Sequence, residues 1–134
     1  MPRRLIPILI FALLLAGCTT NLPFGGEPMP AAQVATFMKV LTPASAYDQP
    51  PKFLGGRAPM SPVALARKGY WGYTEVEFTI RSDGTTDQFQ FMNATALEFA
   101  RAAGLAVQKW KFAPARKNGQ PVPVRVRLPF TFRT

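Results

Sequence analysis

Histidine is absent from this 134-residue chain, cysteine occurs once, and seven Asp and Glu stand against sixteen Lys and Arg. Without histidine the commonest general base is missing, and so is the usual partner of a serine nucleophile. Ser45, Ser61 and Ser82 have no base in view, so the chain reads as a protein that is not an enzyme. One cysteine makes no internal disulfide, and without histidine it builds no tetrahedral zinc site. We therefore expect no metal and no cofactor. The shortage of acid leaves a formal net charge of +9.

The one cysteine sits behind the longest apolar run. Arg3 and Arg4 open the chain, and Leu5 to Ala16 follow as an apolar stretch. As a helix that stretch spans about 18 Å, short of the ~30 Å hydrocarbon core of a bilayer. A charged start, a short apolar centre and small residues after it describe a secretory signal peptide. Its end, Leu15-Ala16-Gly17-Cys18, resembles a bacterial lipobox. That resemblance implies cleavage before Cys18 and lipidation of its sulfur and new amine. Several acyl chains anchor durably where one is marginal. The alternative is an ordinary signal peptide with an incidental cysteine. Thr19, where an Asp would mark inner-membrane retention, resembles the class held at the outer membrane. The expected location is the periplasmic side of the bacterial outer membrane, with no nucleic acid as partner. Losing Arg3 and Arg4 leaves an excess of +7. That excess suits anionic lipid, cell-wall polymers or acidic segments; a solvated basic surface is the plainer reading.

Three regions are expected: a lipoprotein signal peptide at 1–17, a lipid-anchored tether at 18–50, and a folded domain at 51–134. The tether begins with "TTNLPFGGEPMP", rich in turn formers. Val34, Met38 and Leu41 recur at helical spacing, with Phe37 beside Met38, which suggests a short amphipathic helix within 31–41; packing on the domain is favoured over lying on the lipid surface or fraying. In the domain, Pro62 and Gly69 bracket a short helix, with Ser61 as N-cap, Val63 and Ala66 inward and Leu65 as a further candidate.

Val76, Phe78 and Ile80 alternate with Glu75, Glu77 and Thr79; Phe89 and Phe91 alternate with Gln88 and Gln90. A two-residue turn at Asp83-Gly84 makes these a hairpin that opposes Arg81 to Thr86, Phe78 to Phe89, Val76 to Phe91 and Glu77 to Gln90. Residues 95–112 are predicted as a long helix, opened by a Thr95–Glu98 capping box and stopped by Pro114. Phe99, Ala103, either Ala106 or Val107, and Trp110 would cover the sheet. After an Asn118-Gly119 turn, residues 121–133 read as one strand: Val122, Val124, Val126, Leu128, Phe130 and Phe132 on one face, Arg125, Arg127 and Thr131 on the other. Pro121, Pro123 and Pro129 share the arginines' parity. Backbone N–H groups alternate sides along a strand, so this parity marks an edge strand. The expected fold is α+β: a small three-stranded antiparallel sheet in the order 2-1-3. A long crossover helix and a short N-terminal helix lie on one face. Glu75 and Glu77 then lie across from Arg125 and Arg127.

From about Pro50 to Thr134 the chain resembles the C-terminal domain of TonB-type energy transducers. The resemblance rests on several pieces in order: Pro59-x-x-Pro62, Ala66-Arg67-Lys68-Gly69, Gly72 with Val76-x-Phe78-x-Ile80, and Asp83-Gly84. It continues through Ala106-Val107-x-x-Trp110-Lys111-Phe112-x-Pro114-Ala115 and Asn118-Gly119-x-Pro121-Val122. Such a domain pairs its edge strand with an extended segment of an outer-membrane transporter, which is strand addition. The resemblance thus implies an envelope protein or peptide as partner. It places the binding edge at Val124, Arg125, Val126, Arg127 and Leu128. Pro123 and Pro129 leave only Arg125 and Arg127 as donors between them. That pattern is read equally as protection against aggregation and as a short docking window. An energy transducer also carries a spanning helix and a long Pro-rich spacer, and neither is visible here. A structural lipoprotein of an envelope complex and an energy transducer for transport are the other two readings.

Overall fold

A computed structural model of the chain describes residues 26–133. The elements are helix α1 (Ala31–Phe37), strand β1 (Lys39–Val40), β2 (Lys52–Gly55), helix α2 (Val63–Ala66), β3 (Gly72–Ile80) and β4 (Thr86–Met92). They continue with helix α3 (Leu97–Val107), β5 (Lys111–Ala113), β6 (Ala115–Lys117), β7 (Gln120–Val122) and β8 (Val124–Phe132).

Alternation in β3 and β8 builds the centre. They pair antiparallel over nine residues, from Gly72↔Phe132 to Ile80↔Val124. Thr74, Val76, Phe78 and Ile80 of β3 and the five even-numbered residues of β8 are all buried on one face. Each large apolar side chain so buried stabilises by about 1.5–3 kcal/mol. Phe99, Ala103 and Val107 of α3 close over that face. The smaller β2–β5 ladder opposes Phe53 to Phe112 and caps one end of the core. Trp110, fully buried, lies edge-on to Phe53 at 4.8 Å and to Phe130 at 5.7 Å.

The sheet is larger than expected. Its order is β1-β8-β3-β4, so the anticipated three strands stand in their expected order with a fourth added outside β8. The fourth comes from the segment predicted to be helical to residue 41. Helix α1 stops at Phe37, and the next residues extend to pair Lys39 with Arg127 and Val40 with Val126. Val34 is nonetheless fully buried, so this part of the expected tether is built into the domain.

The hairpin loop is one residue longer than expected, and a bulge restores the register. Arg81 N donates to Thr85 O and Gly84 N to Arg81 O, so the loop has three residues, Ser82 to Gly84. The ladder starts at Ile80↔Thr86, then shifts, and reaches the expected Glu77↔Gln90 and Val76↔Phe91. Within that shift Gln88 takes a φ of +52°; the extra residue is a β-bulge.

The Asp83 carboxylate accepts from Thr85 Oγ1 at 2.5 Å and from Thr85 N at 2.9 Å. These bonds hold its pKa below the ordinary carboxylate value. A depressed pKa contributes stability above the unfolded pKa and loses it as pH falls through the folded one. In a carbon-detected NMR titration Asp83 is expected to have a lower midpoint than an ordinary Asp, and Thr85→Val is expected to raise it.

Helix α3 is shorter than predicted. Its N-cap is Ala96, with no side-chain cap. Thr95 Oγ1 instead accepts from Tyr73 N at 3.0 Å, and Thr95 N donates to Tyr73 O. Residues 111–113 are strand β5, not the last turn of the helix. Helix α2 begins after Pro62 without a Ser61 cap, and Val63 is exposed where it was expected inward. The Asn118-Gly119 turn is as read, both residues having positive φ between β6 and β7.

Candidate functional site: the outer edge of the last strand

The outward backbone groups of β8 belong to its odd-numbered residues. Arg125 N donates to Thr42 Oγ1 at 2.7 Å, and Leu41 N donates to Arg125 O at 2.7 Å. Arg127 pairs with Lys39. The edge predicted to stand open at Val124–Leu128 is therefore covered by residues 39–42. The correction has a physical cause: a two-residue strand carries no periodicity to read, and its stability comes from tertiary pairing. Val124, Val126 and Leu128 point into the core and offer no side chain to a partner.

The edge reopens beyond β1. Pro129 carries no N–H. Among the described residues, the outward C=O of Pro129 and the outward N–H and C=O of Thr131 have no backbone partner. They border a groove of about 690 Å³. Met29, Gln33 and Phe37 wall it on one side, and Pro59 flanks it. Phe37 is 55% exposed, a large apolar side chain left beside unpaired backbone. The parity of β8 put Pro129 and Thr131 on the outward side, but no sequence signal marked the groove, because α1 and β1 had first to be placed.

The two arginines do other work. Arg127 Nε donates to Glu77 Oε1 at 3.0 Å and Arg127 Nη2 to the same oxygen at 2.5 Å. Arg125 Nη2 lies 3.8 Å from Glu77 Oε2. The hydrogen bond to Glu77 raises the Arg127 pKa above its already high value. Arg125 also donates to Thr79 Oγ1 and to the carbonyl of Gln88. It thereby fastens the bulged residue of β4 onto the sheet. The expected acid–arginine pairing across β3 and β8 is thus made mainly by Glu77. Glu75 instead lies opposite Pro129, accepting from the Tyr73 hydroxyl at 2.9 Å and from Asn93 Nδ2 at 3.0 Å. Its bond and nearby charge raise the Tyr73 pKa.

Cys18 lies outside the described residues. Among those described, no helix is long and apolar enough to cross a membrane. No group of three His, Cys, Asp or Glu residues among them is placed to hold a metal ion.

Residues 58–134 match the family described as Gram-negative bacterial TonB protein C-terminal. The chain is similar to the solution NMR structure of the Pseudomonas aeruginosa TonB CTD, with 30% identity and a TM-score of 0.57. That similarity covers 72% of this chain and 94% of the other. No curated protein matches.

Proposed function

The chain belongs to the TonB C-terminal family, and from that premise we propose that it is a non-catalytic binding module of the bacterial envelope. It takes an extended peptide of an envelope protein, added as a strand along β8. The single observation that carries this reading is the unpaired edge at Pro129–Thr131 facing an apolar-walled groove. Main-chain bonds to Thr131 supply binding, and the Phe37 and Met29 wall selects side chains at alternate peptide positions. A longer peptide reaches Arg125 and Arg127 by displacing residues 39–42. Lipidation at Cys18 keeps the module at the periplasmic face of the outer membrane, with residues 1–17 removed.

The test begins with photo-crosslinking from position 131 in cells. The captured protein then supplies a peptide for binding measurements. Thr131→Pro removes one outward donor and spares the β3 ladder, which uses the other parity. Affinity is expected to fall about tenfold or more, as one main-chain bond and added bulk imply. The thermal transition should stay in place. Unchanged affinity with the fold intact sinks the reading.

A scaffold role has one observation in its favour. A second groove of about 610 Å³ runs beside α3, lined by Met60, Ala102, Leu105 and Lys109 among others, and Leu105 is 64% exposed. Capture from position 105 and not from 131 would select it.

A further inference from the structure

We propose that the end of the sheet where β3 begins and β8 ends is a docking surface for an anionic membrane. Trp71 is 69% exposed and Tyr70 55%. A globular domain has no internal use for two adjacent bare aromatics at that exposure. Both rings suit a bilayer interface, where an apolar body and a polar tip are each satisfied. Basic residues flank them. Arg67 and Lys68 occupy the turn after α2, which folds back so that Tyr70 N donates to Leu65 O. Arg133, arriving from the far end of the chain, sets its guanidinium 5.3 Å from the centre of the Trp71 ring. All three basic residues are exposed. The nearby acidic residues include Glu27, which lines the groove with Arg133, Glu98, at the start of α3, and Glu75 of β3, which is engaged by Tyr73 and Asn93. The basic residues that flank the two rings complement anionic headgroups.

The path of the chain agrees. Glu27 and Pro28 line the same groove as Phe132 and Arg133. Residues 1–25, which hold the apolar run Leu5–Ala16 and Cys18, therefore join the domain at this end. A chain tethered through that segment presents Trp71 to the surface it is tethered to. The rest of the sheet, with the Asp83 turn, points away.

The surface shares Glu27 and Arg133 with the groove proposed for strand addition but takes a different occupant, and its test separates the two. The chain has two tryptophans, and Trp110 is fully buried, so a quencher in the acyl region reports on Trp71. The full chain is reconstituted in vesicles of phosphatidylcholine alone or with phosphatidylglycerol, each doped with a brominated lipid. Quenching is expected with phosphatidylglycerol, reversed by salt, absent with phosphatidylcholine alone, and lost in Trp71→Phe. In a soluble competition with phosphatidylglycerol vesicles, Arg67→Gln, Lys68→Gln and Arg133→Gln each weaken binding roughly fivefold. Thr131→Pro leaves all of this unchanged. Equal quenching in both vesicle types, none in either, or quenching that survives Trp71→Phe overturns the proposal.

Discussion

Trp110→Ala is expected to cost about 3–5 kcal/mol of stability, the range for removing a buried Trp or Phe. The ring has no exposed surface. It touches three strands of two sheets: Phe53 of β2, Phe112 of β5 and Phe130 of β8. Its Nε1–H donates to Arg57 O at 2.8 Å, and truncation leaves that acceptor without its donor. For a domain of this size the thermal midpoint should fall by about 15–30 °C. The same ring explains Gly56. A Cβ there would lie 2.1 Å from Trp110 Cδ1, so Gly56→Ala alone is expected to cost about 1–3 kcal/mol by overpacking. In the Trp110→Ala background the obstacle is gone, and only the strain of a side chain at a φ of +159° should remain. Urea unfolding of the four proteins in a double-mutant cycle measures this coupling. Additive losses would show that the two positions do not meet.

The second large effect is expected at Gly84. Its φ is +84°, and a Cβ would come within 2.1 Å of Phe112 O. The positive φ costs a side chain about 1–2 kcal/mol, and the approach is to backbone, which cannot rotate aside. Gly84 O also accepts from Phe112 N at 3.0 Å, so the hairpin tip and β5 are stitched together there. Gly84→Ala should cost about 2–4 kcal/mol in denaturant unfolding, within the range of special backbone positions. Gly119 supplies the control. Its φ is +77° with nothing within 4 Å of a built Cβ, so Gly119→Ala should carry the conformational cost alone. Equal losses at the two sites would mean that contact with β5 contributes nothing.

The two glycines also mark what could be read from residue order. Asn118-Gly119 closes a hairpin by local chemistry, and it was legible. Asp83-Gly84 was legible as a turn, but its length was not, because the register near it is set by the bulge at Gln88. That bulge depends on Arg125, 37 residues away along the chain. The alternation of β3 and β8 announced the core, since each strand buries one face along its whole length. The Pro and Arg parity of β8 correctly gave the side its backbone groups face. It did not give what lies there. Residues 39–42 are too few to show a pattern, and helical spacing from Val34 onward ran past their start. Likewise Thr95 and Glu98 spell a cap, yet Tyr73 of β3 takes the Thr95 hydroxyl. Tertiary contacts won wherever the local signal was short.

Lys39 meets Arg127, and Gly72 meets Phe132. The nine residues of β8 thus join partners made much earlier in synthesis, one of them before half the chain exists. Until those residues emerge, β3 lacks its longest neighbour and the first strand has nothing to lean on. Long-range closure of this kind slows folding relative to helical domains of similar length. A nascent or truncated chain that stops before residue 124 would hold a hairpin and a helix with their greasy sides bare. Quality control would meet such a fragment as all-or-none: complete, or a substrate for chaperones and proteases.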